Sequence, residues 1–124
     1  MKTEEVGQAH LETWTVDEVQ DAFNKNAIVL IDVRTPQEYM FEHIPGALLL
    51  PMSFLHCASL PGQSDKRIVF HCGSGMRSEK VARKCIEEGF ARIAHMEGGF
   101  GAWKGAKKPY MGTNMATGAP QMVA

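Results

Sequence analysis

The sequence predicts an α/β fold, a single domain built on a central, mostly parallel five-stranded sheet with helices on both faces. Two continuous apolar runs, Ile28-Val29-Leu30-Ile31 and Ile68-Val69-Phe70-His71, read as strands covered on both sides. Helical signals alternate with these runs along the chain, the order expected of parallel strands joined by crossover helices. The third observation is size: 124 residues, 44% hydrophobic and 22% charged, suffice for one ordinary domain with its own core.

Each element has a local cause. Thr15-Val16-Asp17-Glu18 is a capping box, and Val16, Val19 and Phe23 then fall on one face of a short amphipathic helix. After the first apolar strand comes a second capping box, Thr35-Pro36-Gln37-Glu38, with proline at the favoured first helical position. His43-Ile44-Pro45-Gly46 reads as a turn and Ala47 to Leu50 as a short buried strand. Small and turn-forming residues over 52–64 predict a short helix and a loop. The strand at Ile68–His71 runs into the glycine-rich stretch Cys72-Gly73-Ser74-Gly75-Met76-Arg77. A helix is expected from about Ser78 to Glu88, with Val81, Ala82, Cys85 and Ile86 on its apolar face and Gly89 as a left-handed cap. Arg92 to Met96 gives a last strand and Gly99 to Trp103 a last short helix. The domain is thus expected over residues 10–104, with an N-terminal extension over 1–9. Residues 105–124 show no sustained period and are expected to form a flexible tail.

Composition excludes several classes of function. Thirteen Lys and Arg against fourteen Asp and Glu give a net charge of −1, which offers no electrostatic footprint for nucleic acid or an anionic membrane. No apolar run approaches the roughly 20 residues of a membrane helix, and Met1-Lys2-Thr3-Glu4-Glu5-Val6-Gly7 lacks the apolar stretch of a secretory signal. Three cysteines, Cys57, Cys72 and Cys85, are too few for a secreted disulfide framework. A soluble, cytoplasmic protein is expected.

Cys72 stands where chemistry is placed in such folds, just beyond the carboxyl end of a buried strand. Gly73, Ser74, Gly75 and Met76 can curl so that successive backbone N–H groups point inward, a nest for negative charge. The first amides of the following helix add unpaired donors and a positive dipole end. Both favour a thiolate over a thiol. Arg77 closes the loop, its guanidinium fork suited to loop carbonyls or a bound anion, and Ser74 and Ser78 supply hydroxyl donors. Cys85, by contrast, reads as core filling. Cys57, next to His56, reads either as core or as a resolving cysteine.

With Asp32-Val33-Arg34, His43-Ile44-Pro45-Gly46-Ala47, the Cys72–Ser78 loop and Gly98-Gly99-Phe100-Gly101-Ala102-Trp103 in register, the chain resembles the rhodanese, or sulfurtransferase, family from about His10 to Trp103. In that family a loop of six residues, Cys72 through Arg77, goes with sulfur transfer. Related cysteine-dependent phosphatases and arsenate reductases carry a loop one residue longer. The resemblance implies a rhodanese-like fold and a persulfide on Cys72, loaded from thiosulfate or another persulfide and unloaded to a thiol or cyanide. It implies Gly73, Ser74, Gly75, Met76, Arg77 and Ser78 as the substrate-binding loop, a sulfur-relay protein as a further partner, and no metal or organic cofactor. Many members carry a basic residue directly after the cysteine; here Gly73 stands there, which favours a persulfide donor over a small dianion. Two rival readings follow: a non-catalytic sulfur-carrying or regulatory module, and, behind it, a phosphatase or arsenate reductase.

Other polar residues have plainer readings. Asp32 and Arg34 point to one side of an extended chain and form a structural ion pair. His43 hydrogen-bonds its turn, and His71 faces away from Cys72 by strand alternation. No His or Cys spacing fits a zinc site.

Overall fold

The computed structural model describes all residues from Met1 to Ala124. The main sheet has six strands rather than five: β1 (Lys2–Val6), β2 (Ala9–Trp14), β3 (Ile28–Asp32), β4 (Leu48–Leu49), β5 (Arg67–His71) and β6 (Arg92–Met96), in the order β1-β2-β6-β5-β3-β4. All neighbours run parallel except β1 and β2, which form an antiparallel hairpin. Two of the six, β1 and β2, precede every strand located in the sequence, and β1 comes from the N-terminal extension. Gly7, at φ +62°, turns the chain so that a polar segment with only one buried-leaning residue, Val6, pairs along β2.

Both capping boxes form. In α1 (Val16–Asn24) the Glu18 amide donates to Thr15 Oγ1 at 3.2 Å while Glu18 Oε1 accepts from the Thr15 amide at 2.9 Å. The same reciprocal pair, Thr35 and Glu38, starts α2 (Pro36–Phe41). Residues 52–64 contain two short 3-10 turns, Met52–Phe54 and Cys57–Ser59. The long helix α3 spans Met76–Glu87, starting two residues earlier than expected because Gly75 takes the left-handed cap position at φ +103°. A short α4 (Gly99–Gly105) follows β6.

Two cores lie on opposite faces of the sheet, as the period of two along each strand requires. One face packs Leu11, Ile31, Ile68, Phe70 and Ile93 under Val81, Ala82 and Cys85 of α3. The other packs Leu30, Val69, Ala94 and Met96 with Val19 of α1 and Phe100 and Trp103 of α4. Cys85 is buried as expected but not as a free thiol. It is disulfide-bonded to Cys57, with Cα atoms 5.4 Å apart. The two cysteines lie 28 residues apart, so only the packing of the 3-10 segment against α3 brings them together.

The tail is the larger correction. Tyr110–Thr113 (β7) and Pro120–Val123 (β8) form an antiparallel hairpin. It is held on the domain by a two-way backbone pair between His43 and Met111 (2.9 and 2.8 Å) and by Thr113 Oγ1 donating to the Phe41 carbonyl at 2.7 Å. Trp103 Nε1 donates to the Pro109 carbonyl at 2.8 Å, and Tyr110 meets Phe100 edge-on. The segment lacks its own hydrophobic period because its two strands pair with each other through the main chain, with one backbone bridge, His43–Met111, to the domain. No helix of the chain is long and apolar enough to cross a membrane.

Candidate active site

The carboxyl end of β5 delivers Cys72 into a loop closed by the first turn of α3. Its side chain is fully buried, and it is the one free cysteine. Cys72 Sγ accepts from the Gly75 amide at 3.1 Å and lies 3.6 Å from Ser78 Oγ. Burial pushes the thiol pKa up. Hydrogen bonds from Ser78, Gly75 and Ser74 outweigh it and leave the thiol below its ordinary range. The loop thus stabilises negative charge on sulfur.

The loop rests on α4. The Phe100 amide donates to the Cys72 carbonyl at 2.7 Å and the Gly101 amide to the Gly73 carbonyl at 3.0 Å. This approach needs Gly99. At φ +59°, a Cβ there would lie 2.7 Å from the Gly73 carbonyl oxygen and 2.6 Å from its carbon. The Gly98-Gly99-Phe100-Gly101 stretch is therefore a platform that sets the height of the Cys72 loop.

Of the residues singled out from the sequence, Cys72, Gly75 and Ser78 converge on the sulfur. Ser74, whose side chain is exposed, contributes its backbone N–H, whereas the Met76 side chain is 79% exposed and makes no contact with the sulfur. Arg77 neither ties loop carbonyls nor points free into the mouth. It forms a two-pronged ion pair with Glu38 of α2 at 2.7 and 3.0 Å, which holds the Glu38 carboxyl at a pKa of about 2. Its Nη2 lies 3.0 Å from where a Gly73 Cβ would stand, so the pair lies across Gly73. Arg34 is likewise engaged: it grips buried Asp32 at 2.8–3.1 Å, donates to the Glu42 carbonyl at 2.7 Å and lies over the Phe100 ring. Arg77 and Arg34 are thus both paired with carboxylates.

His71 is buried on the face opposite Cys72, with Nδ1 3.3 Å from the Cys72 carbonyl oxygen and Nε2 3.6 Å from Asp32. Burial lowers its pKa, which keeps it neutral. His43 Nδ1 hydrogen-bonds the Tyr39 carbonyl at 2.8 Å and the ring stacks on Tyr39. No cluster of three His, Cys, Asp or Glu side chains is placed to hold a metal ion.

Two residues escaped the sequence reading. Glu38 was legible only as half of a capping box, and nothing local links it to Arg77, 39 positions later. His95 of β6 lies 3.0 Å from Ser78 Oγ through Nδ1. Its one sequence signal is a polar residue within the otherwise apolar buried run Ile93 to Met96, two positions after Ile93 and hence on the same face.

Residues 15–106 match the family described as rhodanese-like domain. Thiosulfate sulfurtransferase GlpE of Coxiella burnetii is 35% identical over 96 residues, which cover 77% of this chain and 84% of the relative. An uncharacterised protein of a Synechocystis strain is 38% identical over 98 residues, and there the match spans 79% of this chain but 55% of the relative's length. Among solved structures, a Rhodopseudomonas palustris protein of unknown function, described as a possible tyrosine phosphatase, superposes with a TM-score of 0.67 at 33% identity. That likeness covers 77% of this chain and 81% of the other.

Proposed function

Since the chain belongs to the rhodanese-like family, whose curated relatives include sulfurtransferases, we propose that it moves a sulfane sulfur through a persulfide on Cys72. The observation that carries this reading is the Gly75 amide donating to Cys72 Sγ at 3.1 Å inside a loop of six residues. The loop stabilises charge on the sulfur it carries, the requirement of a persulfide anion. In the first half-reaction the Cys72 thiolate attacks the outer sulfur of the donor. A new S–S bond forms to Sγ, the donor's own bond to that sulfur breaks, and the leaving group departs with the bonding pair: sulfite from thiosulfate, a thiolate from a persulfide. In the second, cyanide or a thiolate takes the outer sulfur and the Cys72 thiolate returns. Two half-reactions sharing one covalent intermediate predict ping-pong kinetics.

The surroundings favour a persulfide donor, on a small thiol or a sulfur-relay protein, over thiosulfate. Gly73 adds no charge, and Glu38 and Asp32 neutralise the two arginines. The same features support a second reading as a sulfur carrier charged by a partner protein. A phosphatase reading draws support from the name of one structural neighbour, but the shorter loop opposes it. Within the sulfur-transfer reading we place the protein in the cytoplasm.

Steady-state assays with cyanide as acceptor, and thiosulfate or a glutathione-type persulfide as donor, test the proposal. Parallel reciprocal plots are expected, with activity lost in Cys72→Ser and greater kcat/KM for the persulfide. Full activity in Cys72→Ser would overturn the reading.

A further inference from the structure

Cys72 has a second flank, opposite the Glu38–Arg77 pair. In the sheet β5 lies between β3, which leads to Glu38, and β6, which carries His95. Strand period places one set of side chains on the face covered by α3: Thr13 of β2, in register with His95, and Phe70 of β5, also in register with His95 and two residues before Cys72. The result is a continuous line of hydrogen-bonding groups. Cys72 Sγ lies 3.6 Å from Ser78 Oγ, Ser78 Oγ 3.0 Å from His95 Nδ1, and His95 Nε2 3.2 Å from Thr13 Oγ1. His95, only 4% exposed, lines a shallow surface groove together with Thr13, Glu79 and Glu97, and Thr13 is the more open of the two.

We propose that His95 is a positioning residue for Cys72, acting through Ser78 to pass the thiol proton to the Thr13 groove and to leave the hydroxyl of Ser78 aimed at the thiolate. This deepens the sulfur-transfer reading and rests on Cys72 reacting as a thiolate. In the thiol state Cys72 S–H donates to Ser78 Oγ, Ser78 O–H to His95 Nδ1, and His95 Nε2–H to Thr13 Oγ1. Deprotonation moves each hydrogen one place along the line. The thiol proton goes to Ser78 Oγ, the Ser78 proton to His95 Nδ1, the Nε2 proton to Thr13 Oγ1, and the Thr13 proton to bulk water in the groove. Every heavy atom of the line ends neutral except sulfur. Each hydrogen now points back toward it, with Thr13 donating to Nε2, Nδ1–H to Ser78 and Ser78 O–H to the thiolate. The return of a proton reverses the line.

The relay needs a neutral imidazole, with one N–H and one lone pair. The charged groups facing His95 are Glu79 and Arg83 of α3 and Glu97 beyond the end of its own strand; β2 and β5 place Thr13 and Phe70 beside it. Burial, the largest influence, and Arg83 push its pKa down, while Glu79 and Glu97 push it up, and the balance lies below the ordinary imidazole range. Ser78 Oγ is also 3.2 Å from the Gly75 carbonyl oxygen, which accepts its hydrogen when the line is broken.

The rate of Cys72 alkylation by iodoacetamide, followed against pH by intact mass on the full chain, tests the proposal. Each variant's folding is checked by circular dichroism. In His95→Leu the inflection is expected to rise, slowing alkylation at neutral pH by roughly threefold to tenfold, the effect of half to one pKa unit. Thr13→Val, at the accessible end, should move it the same way by less. Ser78→Ala should raise the inflection too, and adding His95→Leu to Ser78→Ala should change nothing further, because the influence passes through that hydroxyl. An inflection unmoved in both His95→Leu and Thr13→Val would overturn the proposal. So would a His95→Leu shift that persists in full without Ser78. Should His95→Leu fail to fold, the Thr13→Val shift decides alone. Alkylation needs no sulfur donor, so failure of the sulfur-transfer reading would appear separately, as no sulfur gained by a protein whose alkylation profile is as expected.

Discussion

Replacing Gly99 by alanine probes how the α4 platform sets the Cys72 loop. The change forces a non-glycine residue to φ +59° and drives a methyl group to within 2.6–2.7 Å of the Gly73 carbonyl group, where only backbone can give way. Left-handed conformation costs an alanine about 1–2 kcal/mol, and overpacking against main chain adds about 1–3 kcal/mol. The expected loss is therefore about 2–5 kcal/mol, or roughly 8–19 °C in Tm for a chain of this length. Relief of the overlap lifts the loop from the Phe100 and Gly101 amides and disturbs the Gly75 contact to sulfur. Sulfur transfer should fall by at least about tenfold, the cost of misplacing one charge-stabilising donor. Gly105→Ala, at the far end of the same helix with open space around its Cβ, is the matched control and should be near neutral. Urea unfolding and the donor–cyanide assay on both variants supply the comparison. If Gly99→Ala matches Gly105→Ala in both, the platform argument is wrong.

Three further predictions follow from the packing. Reducing the Cys57–Cys85 bond, which closes a loop of 28 residues, should lower stability by about 3.5 kcal/mol on the chain-entropy account; equal urea midpoints with and without reductant would show that the bond contributes nothing. Truncation after Lys108 removes the His43–Met111 and Thr113–Phe41 hydrogen bonds and strips Trp103 Nε1 of its acceptor. A loss of about 2–4 kcal/mol is expected at about 1 kcal/mol per bond, and an unchanged midpoint would mean that the hairpin does not dock. Glu38→Gln keeps the capping box but removes the charge facing Arg77. The native pKa of about 2 lies below the usual carboxylate value, so the pair stabilises the protein above pH 4.5 and loses that contribution as pH falls toward 2. Because the pair is more than a third exposed, we expect only about 0.5–1 kcal/mol between wild type and variant at pH 7, closing by pH 2. The freed Arg77 should also lower the KM for thiosulfate, and a raised KM would assign Arg77 no part in meeting anions.

What was legible in the sequence was local or periodic. Thr15 with Glu18 and Thr35 with Glu38 are three residues apart, so their capping boxes could be read directly and both formed. Continuous apolar runs located β3 and β5, and the glycine-rich step after β5 located the Cys72 loop. Interactions that join distant segments left no such trace. His95 acquires its role only when β6 lies between β2 and β5, and Arg77 meets Glu38 only because α2 and α3 start at the same end of the sheet. Cys85 looked like a core residue because its helical face is apolar; its partner Cys57 comes from a segment with no period at all. The strands β1 and β7 are polar or irregular because main-chain pairing, rather than a buried face, defines them.

Sulfur transfer through Cys72 is read most directly from the intact mass of the protein before and after a persulfide or thiosulfate donor, then after cyanide, with Cys72→Ser in parallel. A persulfide on Cys72 requires a gain of one sulfur atom on the wild type, its removal by cyanide, and no gain on Cys72→Ser. A wild-type mass unchanged by either donor, or a gain that survives in Cys72→Ser, would contradict it.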